Sequence, residues 1–223
     1  MSEFYGAQHR AMQQIFDTQN LADGVRKAIV TAEIADDHQA FIESRDMFFL
    51  STIDHRGYPT CSYKGGNPGF VRVLDSKTLA FPSFDGNGMF LSMGNITANN
   101  KIGMLFIDFE TPHRNRIHGI ASIDPNDPLL TDPNYPGFYG AELIVRVAIT
   151  DIFINCPRYI PKFQRISPSK YVPQTSCPTP LPQWKRIDAL QGALPERDAK
   201  IAQELGGMIT PEEYGAMVMK GEA

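Results

Sequence analysis

Lys64 is followed at once by Gly65, Gly66, Pro68 and Gly69, in the stretch CSYKGGNPGFVRVLD between two β-prone segments. Glycine and proline end regular strand pairing and let backbone approach a neighbour closely. A lysine at that point places a positive charge where the backbone opens, so the stretch reads as a hairpin loop or as an anion-binding lip. Arg72, Arg114 and Arg116 also fall at strand ends or beside the glycine loop. Taken singly, each is edge charge that discourages strand-to-strand association; taken together with Lys64, they suggest an anion site. Asn87, Gly88 and Met89 precede a short helical pattern and could present backbone N–H groups to a phosphate, although Gly-Asn-Gly is also an ordinary turn.

Other chemistries lack their residues. There is no GxSxG, HExxH, GxxxxGK[ST] or GxGxxG with an acidic ribose clamp. His55, His113 and His118 are separated by turns and strands and read as surface or hydrogen-bonded histidines rather than metal ligands. Cys61 alternates with its neighbours along a strand and is expected to be a buried structural thiol rather than a nucleophile. No side chain stands out as a general acid or base, so the catalytic residues stay unassigned, with Tyr63 and His118 as the candidates.

The elements that must position these residues follow from periodicity. Apolar residues at helical spacing (Met12, Ile15, Phe16, then Leu21, Val25, Ala28, Ile29, Ala32) make residues 1–45 helical, and DDHQ at 36–39 has the form of a capping box. MFFLSTID, YPTCSY, FVRVL, TLAF, NKIGMLFIDF, RIHGIASI and AELIVRVAITDIFI then read as about seven short strands. Residues 82–100 interrupt them with a turn and a short helix carrying Met89, Leu91, Met93 and Ile96, and residues 124–140 read as one long surface loop. Beyond residue 156 the prolines exclude a central strand and suggest an extended arm. The end is helical: Pro195 suits a first turn, Gly206 a stop, and Thr210, Pro211 and Glu213 an N-cap, N1 and N3. Antiparallel strands with one inserted helix and helical ends predict a mainly β fold, a small closed or split barrel.

Composition narrows the class further. The chain has 223 residues, 42% hydrophobic and 10% aromatic, enough for a sizeable core. A net charge of −4 and a pI near 5.7 argue against nucleic acid as the main partner. The apolar runs are too short to span a membrane as helices, and the polar MSEFYGAQHR start carries no apolar signal core. Cys61, Cys156 and Cys177 are odd in number and scattered, which suits a reducing compartment, and a cytoplasmic location is expected.

The succession FLSTIDHRGYPTCSYKGG, PGFVRVLDSKTLAFPSFDGNG, NITANNKIGMLFIDF and RIHGIASI resembles the FMN-binding split barrel of the pyridoxamine 5'-phosphate oxidase-like flavoproteins, over about residues 45–155. The resemblance implies a 1–45 helical segment, a 46–155 split-barrel flavin domain, and a 156–223 arm with C-terminal helices. It implies FMN in a cleft at a homodimer interface, lined by Ser62, Tyr63, Lys64 and Gly65, by Pro82 and Ser83, and by Asn87, Gly88 and Met89 at the helix start. The oxidase has an Arg-Lys pair at that helix start, where this chain has Asn87, Gly88 and Met89; Lys64, Arg114 or Arg116 would then supply the charge. The oxidase's C-terminal substrate motif has no counterpart, so pyridoxamine phosphate is not the expected substrate. The implied function is a flavin-dependent oxidoreductase acting on a small redox substrate, with Lys64 or Arg116 near the flavin N1–C2=O edge. The alternative is a non-catalytic carrier or sensor of flavin, haem or deazaflavin.

Overall fold

Alternation of side chains decides which residues of each strand reach the core. In the computed structural model, which describes residues 4–205 and 207–223, β2 (Met47–Ile53) buries Phe48, Leu50 and Thr52, while Met47, Phe49 and Ser51 face the other way and are half-covered. It pairs with β3 (Pro59–Gly65) and β6 (Lys101–Asp108), and β6 in turn with β7 (His113–Asp124). β8 (Ala141–Asn155) joins β7 to β5 (Thr78–Phe84), and β4 (Arg72–Asp75) closes the row. The order β3-β2-β6-β7-β8-β5-β4 is antiparallel throughout and does not close, since β3 and β4 are free edges. This is a split β-barrel. The two-residue strand β1 (Val30–Thr31) adds to β8.

The interior is one cluster built from Phe48, Phe70, Phe81 and Phe106, with Leu79, Met104, Ile117 and Ile152 around them. Phe48 stacks on Phe106 at 5.1 Å and meets Phe81 edge-on at 5.0 Å. The segment 124–140 is more than a surface loop. Its two 3-10 turns place Leu129 and Phe138 against Ala80 and Ile144, a second core on the outer face of the sheet.

Helices flank the barrel. The expected N-terminal helical segment is α1 (Ala7–Ile15), α2 (Gln19–Ile29) and α3 (Asp36–Glu43), interrupted by β1. The N-cap of α3 is Ala35, one residue earlier than DDHQ suggests, and the His38 ring Nδ1 accepts the Ala35 N–H at 3.3 Å. Neither α1 nor α2 has a buried residue, so their apolar stripe does not cover the sheet. The short helix α4 (Leu91–Ala98) buries Met93 and Ile96, whereas Met89 and Leu91 are exposed.

Ser167–Ala223 forms a second compact unit. It holds α5 (Glu196–Glu204) and α6 (Pro211–Lys220). α6 is capped as its sequence predicts: Glu213 N–H donates to Thr210 Oγ1 at 3.2 Å and Thr210 N–H to Glu213 Oε2 at 2.7 Å. Inside this unit Lys185, 2% exposed, donates to Asp198 Oδ2 at 2.8 Å. The stop expected at Gly206 lies outside the described residues.

Candidate functional site

The residues of β3 divide by parity. Thr60, Ser62 and Lys64 lie on the inner face, and Cys61 and Tyr63 on the outer. α4 packs along the inner residues: Asn95 Nδ2 donates to Thr52 Oγ1 at 3.0 Å and to Thr60 Oγ1 at 3.1 Å, and Ser92 Oγ meets Ser62 Oγ at 3.0 Å. Reading along β3 from Thr60 to Ser62 thus runs back along α4 from Asn95 to Ser92. The next inner residue, Lys64, lies about 7 Å farther on, toward the start of α4.

That helix start is open. No side chain caps α4, and its N-cap residue Phe90 sits in the left-handed region at φ 46°, a conformation that costs a non-glycine residue about 1–2 kcal/mol. Before it, Gly88 turns at φ 73° and Asn87 Oδ1 accepts the Met89 N–H at 3.1 Å, so that N–H is already used within the turn.

Lys64 itself is half-buried and, among the described residues, makes no hydrogen bond or ion pair. Burial pushes its ammonium below the ordinary lysine range. An unpaired, partly desolvated cation on the strand face that also meets an uncapped helix start through Ser62 is an arrangement suited to an anion.

The glycines after Lys64 are accounted for by packing. A side chain at Gly66 would come within 2.4 Å of Phe70 Cγ, and Phe70 is fully in the core. Gly69 turns at φ 87°, which only glycine adopts freely. A Cβ at Gly65 would lie 2.8 Å from Tyr63 Oη, so the Tyr63 hydroxyl folds over this backbone while the ring stays exposed. Burial first, and the Asp46 carboxylate second, push the phenol above its usual range.

The remaining predicted residues separate by face. Ser83 lies on the inner face with Phe81, and Pro82 on the outer face opposite Ile144. Arg114 and Arg116 are both outer, across from Asn155 and Phe153. One chain therefore has Ser62, Lys64 and Ser83 on the inner faces of its strands and Tyr63, Pro82, Arg114 and Arg116 on the outer, while the Asn87–Met89 turn before α4 is exposed. Arg72 is paired with Glu43 at 3.6 Å. His118 faces Asp151 at 3.9 Å on the outer face.

Two features escape the sequence patterns. The hydroxyl and amide ladder of Thr52, Thr60, Ser62, Ser92 and Asn95 tethers α4; its only trace is small polar residues at period two on the strands and at three-residue spacing on the helix. Cys61 is exposed, not buried, because the odd positions of β3 face outward. Cys156 and Cys177 are also free and exposed.

The family model described as pyridoxamine 5'-phosphate oxidase matches residues 34–133. Solved structures similar to the chain include HupZ of Group A Streptococcus, 20% identical, covering 54% of this chain and 93% of that one, at a TM-score of 0.44. A candidate pyridoxamine 5'-phosphate oxidase of Lactobacillus delbrueckii is 21% identical, with 55% and 95% covered, at a TM-score of 0.43. An F420 reductase is 20% identical, with 53% and 98% covered, at a TM-score of 0.41. No curated protein matches the chain. No helix among the described residues is long and apolar enough to cross a membrane. Over residues 34–133, which carry most of the split barrel, the chain is similar to the pyridoxamine 5'-phosphate oxidase family.

Proposed function

We propose that the chain binds FMN and works as a flavin-dependent oxidoreductase of that family, in the cytoplasm, with the site carried by the 46–155 barrel and flanked by segments 1–45 and 156–223. The observation that carries this reading is Lys64, a half-buried cation with no partner among the described residues, on the same face of β3 as Ser62, which meets Ser92 in the uncapped first turn of α4. An FMN phosphate carries nearly two negative charges and is held best by charge-assisted donors. The residues fit such a group. Lys64 would meet the phosphate or the N1–C2=O edge, Ser62, Gly65 and Ser83 would line the flavin, and Asn87–Met89 would shape the turn beside it. Tyr63, Pro82, Arg114 and Arg116 face outward and would serve the site of a second copy. A two-fold homodimer of about twice 24.9 kDa completes the site in this way.

Once bound, the flavin supplies the two-electron chemistry of its ring. Burial that favours neutral Lys64 also gives it a gain from an approaching negative charge. The raised Tyr63 phenol stays protonated near neutral pH and can donate but not accept a proton.

That last point also favours a second reading, a carrier or sensor of flavin, haem or deazaflavin without turnover of its own. One visible spectrum of the purified protein separates the three chromophores. A colourless preparation that takes up no FMN at micromolar concentration rules out the flavin reading. With flavin bound, oxidation of NAD(P)H supports the enzyme, and its absence together with unperturbed flavin supports the carrier.

A further inference from the structure

Two arginines, Arg158 and Arg114, adjoin one thiol at the end of β7 and β8, and Arg116 stands two residues from Arg114 along β7. Arg114 lies opposite Asn155, and Cys156 follows directly. Arg116 stands on the same face, its guanidinium 5.6 Å from the Phe153 ring centroid. The Arg158 backbone N–H reaches Cys156 Sγ at 3.5 Å, and the adjacent Tyr159 is held at φ 68° with 93% of its surface exposed. Among the described residues none of these three arginines has a carboxylate partner, in a chain of net charge −4. Arg114 Nε and Asn155 Oδ1 are both buried and both without a hydrogen-bond partner. Other arginines of the barrel are matched: Arg45 with Asp108 at 2.6 Å, Arg146 with Asp127 at 2.6 Å and Arg165 with Asp46 at 2.7 Å.

We infer that Arg114, Arg116 and Arg158 form one anion-binding site, and that its ligand is a phosphate ester or pyrophosphate. Three guanidinium forks match a group with three oxygens and nearly two charges better than a carboxylate with two oxygens and one. The inference deepens the flavin reading by adding Arg158, and it rests on that reading only for the source of the phosphate. The source is either the phosphate of FMN held across a dimer or the pyrophosphate of a separate nucleotide substrate.

Cys156 reports on the site. The Arg158 N–H first, then its guanidinium, with Arg114 adding charge, hold the thiol below the usual cysteine range. A bound anion offsets those cations, lowers the thiolate fraction and slows alkylation. The test uses the full chain with Cys61→Ser and Cys177→Ser, following iodoacetamide labelling of Cys156 near neutral pH at matched ionic strength. Millimolar inorganic pyrophosphate is expected to slow labelling severalfold. Arg116→Gln should raise the pyrophosphate needed for half-protection severalfold, and Arg158→Ala should abolish protection. Protection by FMN but not by riboflavin assigns the site to the cofactor phosphate. Protection by pyrophosphate with none from bound FMN assigns it to a separate substrate, and both results support the site. Pyrophosphate protection without any flavin uptake keeps this inference and removes the flavin reading. Unchanged labelling with pyrophosphate and FMN, while the visible spectrum shows flavin bound, overturns the inference and leaves the flavin reading intact.

Discussion

Lys64 and Lys185 are both withdrawn from water, and the fold treats them in opposite ways. Lys185 is 2% exposed and held at 2.8 Å by Asp198, itself 5% exposed. Lys64 is half-buried on the barrel's inner face and is given nothing. A buried charge left alone costs several kcal/mol, so folds pair the cations they need for structure. An unpaired one is retained where something outside the chain completes it. On the proposed reading, the contrast separates a lysine that belongs to the architecture from one that is completed by a ligand.

The comparison breaks most visibly on the Lys185 side. Asp198→Ala removes the carboxylate that holds a buried ammonium at 2.8 Å and is expected to cost about 3–5 kcal/mol. Trp184 is the chain's one tryptophan and adjoins Lys185, so urea unfolding followed by its fluorescence should show the loss. Replacing both partners, Lys185→Met with Asp198→Leu, should recover most of it. If the single variant unfolds where the parent does, the pair is not structural and the contrast fails.

On the other side, Lys64→Ala should leave unfolding nearly unchanged and weaken FMN by about 1.5–3 kcal/mol, roughly ten- to hundredfold in Kd. A matching loss for riboflavin places Lys64 at the ring, and a loss for FMN alone places it at the phosphate. Unaltered affinity for both returns Lys64 to ordinary edge charge.

A third charge sharpens the rule within the barrel. Asp127, 4% exposed, accepts two hydrogen bonds from Arg146, which, with the Leu129 N–H, hold its carboxyl below the usual range. Its folded-state pKa is depressed, so its stabilisation is full above an unfolded value of about 3.9 and is lost as pH falls through the folded one. Asp127→Asn should cost about 1–2 kcal/mol at neutral pH, and the penalty should shrink in acid. A penalty that stays constant down to the acid transition argues against the ion pair.

The smallest expected effect is the pH signature of Lys64. Its folded-state pKa lies below its unfolded value, so in that alkaline window the unfolded chain binds more protons and stability rises with pH. The rise should vanish in Lys64→Met and should be opposed by FMN, which favours the ammonium. Calorimetric melting temperatures across the alkaline range, with and without FMN, measure both signs.

Much of the fold was legible because it is local. Seven of the strands, the turn before α4 and the Thr210–Glu213 box follow from period two, period 3.6 and cap chemistry, which neighbouring residues decide among themselves. Lys64 was legible as an opening in a strand. What was not legible was the meaning of the glycines beside it, since Gly66 answers to Phe70 in the core and not to a ligand.

Sequence alone determined the residue types and their alternation: that a cation ends β3, that small polar groups recur at every second residue, and that two arginines stand two apart on β7. Only the tertiary structure decided which face each parity takes. That choice exposed Cys61, set Thr60 and Ser62 against α4 with Lys64 on the same face, sent Tyr63, Arg114 and Arg116 to the other side, and brought Arg114 beside Cys156. Parity is a property of one strand, whereas its direction depends on which side the neighbouring strands bury, and so on residues far away in the chain.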